Sequence, residues 1–137
     1  MPSVFDIRIP YADLLRIRRL SEAPGSCTAA VDIRPELTNS WGVAHGGAIM
    51  SLLDMTMGMS AKTLDPEAIG ATTVELKTNF LAAASGEITA TGHAHRAGRS
   101  LVFVEGEVRD AGGTLLAKAS GTFKLRHARA ASPAGAA

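Results

Sequence analysis

The sequence has little net charge, one cysteine and few aromatic side chains, and each shortage limits what the protein can be. The 14 Lys and Arg nearly cancel the 13 Asp and Glu, so no overall positive field is available to attract nucleic acid. The single cysteine, Cys27, cannot form an intramolecular disulfide, which favours a reducing compartment. With only 4% aromatic residues the core has few large anchors, and we expect copies of the chain to associate and bury more surface.

Long apolar runs are also missing. No segment approaches the length of about 18 apolar residues that crosses a bilayer, and Asp6, Arg8 and Pro10 interrupt any signal-peptide core near the start. The 137 residues are 46% hydrophobic and 20% charged, which is typical of one globular domain. We therefore expect a soluble cytoplasmic protein without membrane contact, with one domain over 1–127 and a disordered tail over 128–137.

Residues 44–64 predict a long buried helix. The segment is rich in Ala, Leu and Met, contains no proline, and ends before Asp65 and Pro66. Between His45 and Lys62 the only ionisable side chain is that of Asp54. A helix that is apolar nearly all round is a buried helix.

Alternating and β-branched residues predict strands on both sides of this helix. Residues 9–19 favour a short helix at their start, and 27–33 predict one leg of a hairpin. After the long helix, four further strands are predicted at 69–81, 86–96, 101–109 and 114–126. Their short, glycine-bearing connectors cannot house a parallel crossover, so we expect an antiparallel meander. The predicted fold is α+β, with about five or six strands curled around the helix.

Asp54 is the first candidate for chemistry. A carboxylate in an apolar helix is costly to bury unless it is paired, and no Lys or Arg lies three or four residues away. A group kept under such conditions usually has a function. The alternative is that one sector of the helix reaches solvent.

His45, Gly46 and Gly47 open the helix. Backbone N–H groups at a helix start favour negative charge, and glycines let a ligand approach them. The alternative is that the glycines serve only close packing.

Residues 39–47 (NSWGVAHGG), followed by 51–54 (SLLD), closely resemble the signature of hotdog-fold acyl-CoA thioesterases. The resemblance runs from about Pro10 to Leu125 and is to the branch with the phenylacetate-pathway and 4-hydroxybenzoyl-CoA thioesterases. It implies the hotdog fold, in which a curved antiparallel sheet wraps one long central helix. It also implies hydrolysis of an aromatic or short- to medium-chain acyl-CoA to the free acid and coenzyme A.

The resemblance further implies a role for each residue of the motif. The Gly46 N–H polarises the thioester carbonyl with help from the Asn39 side chain. Asp54 acts as general base on water or as nucleophile. His45 orients the loop or touches the carbonyl region, with a purely structural role as the alternative.

The implied assembly is at least a homodimer, with a dimer of dimers as the larger possibility, and active sites at the subunit interface. Thr73 of the neighbouring subunit is implied to hold the attacking water. Thr72 lies one position away, and a shift of one residue would exchange the two threonines.

Coenzyme A is part of the substrate and the product, so no separate cofactor is expected. The turn with Arg96, Gly98, Arg99 and Ser100 resembles the basic turn that meets the nucleotide end, where arginine suits phosphate because its planar fork donates two hydrogen bonds. The alternative is that these residues only keep an exposed turn soluble. Further substrate contacts are expected from Gly47, Met50, Leu53, Met57 and Met59.

The four histidines lack the spacing of a metal site, so no metal is expected.

Two other functions stay open. A hotdog domain can bind acyl-CoA without hydrolysing it, and hotdog dehydratases act on 3-hydroxyacyl thioesters. The sequences of these dehydratases follow a pattern in which an Asp precedes a His by a few residues, whereas here His45 precedes Asp54. Release of free thiol from an acyl-CoA would separate a hydrolase from a binding protein.

Overall fold

The structure, a computed structural model, describes residues 3–96 and 98–128. Its elements in chain order are a 3-10 helix (Val4–Asp6), α1 (Pro10–Leu15), β1 (Arg18–Ala23), β2 (Ser26–Ile33), a second 3-10 helix (Pro35–Leu37), α2 (Gly46–Lys62), β3 (Ala68–Phe80), β4 (Gly86–Arg96), β5 (Leu101–Asp110) and β6 (Leu115–His127). The predicted long helix and the five predicted strands are confirmed, with small differences at their ends. The predicted C-terminal tail lies, from residue 129 onward, outside the described residues.

The strands form one antiparallel sheet in the order β1-β2-β4-β5-β6-β3. The predicted meander is therefore wrong in one place: β4, β5 and β6 follow one another, but β3 pairs with β6 at the sheet edge. The other side of β4 pairs with β2, which brings the N-terminal hairpin into the same sheet. This curved six-stranded sheet around α2 is the hotdog arrangement.

The short link between β3 and β4 carries the chain from the sheet edge to a strand three places away. Three strand spacings are roughly 14 Å, and the five residues 81–85 span up to about 17 Å when extended. The Leu81 and Ala82 N–H groups both donate to the Leu116 carbonyl, and the Ala84 carbonyl accepts from the Ala44 N–H. A link of five residues is thus long enough to cross two strands and join antiparallel strands that are not neighbours. The length of the link alone therefore does not show whether β3 and β4 pair with each other.

Helix α2 packs closely against the inner face of the sheet because two strand positions lack a side chain. A Cβ atom at Gly106 would lie 2.7 Å from the Met57 sulfur, and one at Gly92 would lie 2.4 Å from the Ser60 hydroxyl. Larger residues at either position would push α2 away from the sheet. The Ser60 hydroxyl is itself satisfied, since it donates to the Thr56 carbonyl at 2.8 Å.

The edge strand β3 carries exposed apolar side chains. Ile69, Val74 and Phe80 are each at least half exposed, on a strand whose outer backbone groups face no other strand of this sheet. An edge of this kind is a template for pairing with another chain. Among the helices that the structure describes, none combines the length and apolar character needed to cross a bilayer.

Candidate active site

The start of α2 leaves one backbone N–H group available. His45 caps the helix: its Nδ1 atom accepts from the Gly47 N–H at 2.8 Å, and its carbonyl accepts from Ala48 and Ile49. The Gly46 N–H has no acceptor among the described residues. Because a helix start favours negative charge, this N–H can stabilise an oxyanion, and the cap assigns His45 a structural role here.

Asn39 closes the loop before α2. Its side-chain oxygen accepts from the Trp41 N–H at 2.9 Å and the Val43 N–H at 3.4 Å, and Gly42 at the turn has a φ of +78°. The oxygen is therefore used inside the loop. Only the amide NH2 group of Asn39 could help to polarise a carbonyl.

Asp54 lies half-buried on α2 beside β3. The Thr73 hydroxyl donates a 2.5 Å hydrogen bond to Asp54 Oδ1. A β-bulge between Thr73 and Glu75 leaves Val74 without a partner on β6, and bulges change the direction of neighbouring side chains. The Thr72 hydroxyl instead accepts from Arg126 Nε at 2.8 Å. Of the two adjacent threonines, Thr73 is the one that faces the carboxylate.

The hydrogen bond between Thr73 and Asp54 joins two residues of one chain. The resemblance implies that Thr73 comes from the neighbour of the chain that supplies Asp54, whereas here one chain supplies both. Gly46 is the distant group, because eight residues of helix separate it from Asp54 by about 12 Å along the axis.

A cavity of about 310 Å³ opens beside Asp54, in the trough between α2 and β3. Its lining is mostly apolar and comprises Ile7, Ile9, Asp54, Met55, Gly58, Met59, Lys62, Gly70, Ala71, Thr73 and Phe123. Of the four helix residues expected to line an acyl pocket, only Met59 does so. Leu53 and Met57 are fully buried against the sheet, and Met50 is half-buried one turn from both Gly46 and Asp54.

The basic turn after β4 is partly neutralised. Arg96 Nη2 lies 3.6 Å from the Asp65 carboxylate, which also bonds His127 Nε2 at 2.8 Å. The hydrogen bonds from His127 and from the Glu67 N–H hold the pKa of Asp65 below its ordinary value. Ser100 uses its carbonyl to accept from the Leu125 N–H.

Arg96, Gly98 and Arg99 are all exposed in this turn. Arg96 shares its surface charge with Asp65 at 3.6 Å, whereas Arg99 forms no ion pair with another described residue. Through Arg96 the turn contacts Asp65, three residues beyond the C-terminal end of α2 at Lys62, and Lys62 lines the cavity.

Comparison with known proteins identifies the family. The sequence pattern of the Thioesterase superfamily matches residues 42–117, more than half of the chain. A protein of Saccharolobus solfataricus, provisionally named an esterase, is 37% identical over 112 residues, which are 81% of this chain and 79% of that protein. The chain belongs to the thioesterase superfamily.

Solved structures share the fold of this thioesterase-superfamily chain. A conserved protein of Pseudomonas aeruginosa is 32% identical and superposes with a TM-score of 0.83 over 90% of this chain and 99% of that one. The PaaI protein of the phenylacetic acid degradation operon of E. coli superposes with a TM-score of 0.79 at 18% identity, over 85% and 84% of the two chains. At the lower identity the likeness concerns the fold alone. The expected hotdog fold is confirmed.

Three residues that line the cavity beside Asp54 were not predicted from the sequence, namely Ile7, Ile9 and Phe123. Phe123 belongs to the apolar side of the alternating β6 pattern, which could have indicated its position. Ile7 and Ile9 carry no such signal, because they lie between the first 3-10 helix and α1, outside any regular element, and reach the cavity through tertiary contacts.

Proposed function

We propose that this protein is an acyl-CoA thioesterase in which Asp54 and the Gly46 N–H act on the same thioester. The observation that carries the proposal is the Asp54 carboxylate, held by Thr73 at an apolar cavity, together with the free N–H at the start of the same helix. Hydrolysis needs an oxyanion donor at the carbonyl oxygen and a carboxylate at the carbonyl carbon.

The reaction uses these groups in order. A water oxygen attacks the thioester carbonyl carbon while Asp54 accepts the water proton, and the carbonyl oxygen becomes negative beside the Gly46 N–H. The carbon–sulfur bond then breaks, and the proton passes to the thiolate of coenzyme A. In the nucleophilic alternative, Asp54 itself attacks, and water then hydrolyses the mixed anhydride.

The separation of Gly46 and Asp54 supports a site shared by two copies. A two-fold axis perpendicular to α2 near Met50 runs the two helices antiparallel, so that Gly46 of one copy faces Asp54 of the other. The exposed apolar edge of β3 supports such a pairing. Met50 then lies at the axis between the two sites, where it can contact the thioester as expected from the sequence.

The acyl group proposed here is aromatic or of short to medium chain length. The apolar walls of the cavity are aliphatic, thioether and phenyl side chains, which accept such groups without polar readout. Arg99 and Lys62 are the proposed cationic contacts for the coenzyme A phosphates.

The test is a panel of acyl-CoA thioesters with detection of free coenzyme A thiol. We expect hydrolysis by the native chain and a loss of several orders of magnitude in kcat for Asp54→Ala, while Asp32→Asn, on the exposed face of β2, keeps the native rate. A native rate for a folded Asp54→Ala protein would exclude the mechanism. Binding of acyl-CoA without thiol release would show a binding protein. In a single turnover in ¹⁸O-water, ¹⁸O found in Asp54 by mass analysis would identify Asp54 as a nucleophile whose carboxyl carbon is attacked by water.

A further inference from the structure

The N-terminal segment Ser3–Ile9, here called the strap, forms one wall of the Asp54 cavity. It belongs to no strand of the sheet. Ile7 and Ile9 line the cavity, while Val4 packs in a small apolar cluster with Cys27 and Met59. The cavity therefore has walls from α2 and the sheet and a third wall from the strap.

Two anchors fix the direction of the strap along α2. At one end Val4 contacts the cluster that contains Met59. At the other end, just beyond Ile9, the Tyr11 hydroxyl lies 3.1 Å from the Ser51 hydroxyl. The strap thus runs antiparallel to α2, with Ile9 toward the Ser51 end of the trough and Ile7 toward the Met59 end.

Side chains of β1 hold the strap in place. Arg19 Nη1 donates to the Phe5 carbonyl at 2.8 Å and to the Ile7 carbonyl at 2.5 Å. The Val4 N–H donates to the Glu22 carboxylate at 3.1 Å. Hydrogen bonds to charged groups are stronger than neutral ones, so Arg19 sets the position of the backbone that carries Ile7.

We propose that the strap selects the acyl group of the substrate, an inference that rests on the proposed thioesterase function. An acyl chain whose carbonyl lies at Asp54 extends along the trough past Ile9 and then Ile7. Ile9 limits bulk next to the carbonyl, Ile7 limits chain length, and Arg19 is a positioning residue that acts through the strap.

The experiment measures kcat/KM for straight-chain acyl-CoAs from acetyl to dodecanoyl, with benzoyl-CoA and phenylacetyl-CoA added. Ile7→Ala removes three carbon atoms, and one methylene in an apolar pocket changes selectivity roughly 10- to 200-fold. We expect the ratio of long-chain to short-chain kcat/KM to rise about tenfold in Ile7→Ala and to fall in Ile7→Phe. Ile9→Ala is expected to raise the ratio of benzoyl-CoA to acetyl-CoA hydrolysis.

Arg19 is tested by the same profile. Arg19→Gln removes the guanidinium that donates to the Ile7 carbonyl, and we expect it to reduce the differences in kcat/KM between short-chain and long-chain substrates. Arg19→Lys keeps a cationic donor and is expected to keep the native chain-length profile. Arg8→Gln is the matched control, because Arg8 is a strap arginine whose guanidinium faces solvent beside Asp13. Loss of overall activity without a change in profile would indicate a structural role for Arg19 and overturn its assignment.

The outcomes separate the two proposals. Chain-length ratios within about twofold of native in both folded Ile7 variants overturn selection by the strap and leave the thioesterase function intact. Failure of the native protein to release coenzyme A from any thioester overturns both. Circular dichroism on every variant shows that the compared proteins are folded.

Discussion

The Thr73 hydroxyl lies 2.5 Å from Asp54 Oδ1, and both residues belong to one chain. The bulge at Val74 and the middle of α2 bring the two side chains together. The hydrogen bond occupies one carboxylate oxygen and leaves Oδ2 for a water molecule or a thioester carbon. Thr73 therefore fixes the orientation of the carboxylate that we propose acts on the thioester.

Removing the Thr73 hydroxyl is expected to lower turnover without changing the fold. Thr73→Val keeps the shape of the side chain but loses a hydrogen bond to a charged group, which contributes about 1.5–3 kcal/mol. We expect kcat to fall about 10- to 100-fold, with KM little changed, in steady-state assays of thiol release.

Two variants control this measurement. Thr73→Ser keeps the donor and should keep most of the activity. Thr72→Val removes the adjacent hydroxyl, which contacts Arg126 on the other face of β3, and should leave kcat unchanged. Equal losses in Thr72→Val and Thr73→Val would contradict the orienting role.

Local patterns predicted α2 and five of the six strands, because each of these elements follows the periodicity of its own residues. The absence of proline and of charge from residues 46–61, apart from Asp54, predicted α2. The order of the strands could not be predicted, because the crossover between β3 and β4 depends on where the link residues 81–85 find acceptors on β6. Connector length is compatible with both arrangements.

The candidate site likewise combines residues that the local sequence predicts with residues that it does not. Gly46 and Asp54 were predicted from motif spacing, and their separation follows from helix geometry. The choice of Thr73 over Thr72 depends on a one-residue bulge, and the positions of Ile7 and Ile9 depend on side chains of β1. These features arise from long-range contacts, which no local pattern records.

The Gly46 N–H can be removed with little expected change to the helix. Gly46 is the first residue of α2, a position where proline is favoured because no intrahelical bond is lost. His45, with φ of −63° and ψ of 137°, already has the backbone conformation that precedes proline. For Gly46→Pro we expect kcat to fall about 10²- to 10³-fold, as for the loss of an oxyanion donor.

Gly46→Ala is the control for this prediction, because it keeps the N–H group. Its added Cβ would lie 3.4 Å from the Phe80 ring, so a smaller loss of kcat is expected. Thermal denaturation of both variants tests the fold. Native turnover by Gly46→Pro would exclude this N–H as the oxyanion donor.

Asp65 is expected to contribute to stability in a pH-dependent way. Hydrogen bonds from His127 and from the Glu67 N–H lower its pKa from the ordinary 3.8, so the folded state favours the charged form. The contribution is present above about pH 4 and is lost as the pH falls through the lowered pKa. We expect the Tm difference between the native chain and Asp65→Asn to shrink between pH 5 and pH 2.5. Glu36→Gln controls for the loss of one negative charge, and a difference that stays constant to pH 2.5 would contradict the linkage.

A shared site makes a prediction that mixing experiments can check. If Gly46 of one copy serves Asp54 of the other, a heterodimer of Asp54→Ala and Gly46→Pro chains contains one site with both native groups and one site with neither. Random reassociation of the two inactive proteins should then restore about a quarter of the native activity, since half of the dimers are mixed and each has one working site. A site contained within one chain would give no recovery.

The same mixing with Thr73→Val tests where Thr73 acts. Because Asp54 and Thr73 belong to one chain, a heterodimer of Asp54→Ala and Thr73→Val has no site with both native groups. Its activity should therefore not exceed that of the Thr73→Val sites it contains. Recovery to the level of the mixture with Gly46→Pro would mean that Thr73 serves the neighbouring Asp54, and sedimentation analysis of each mixture confirms that chains have exchanged.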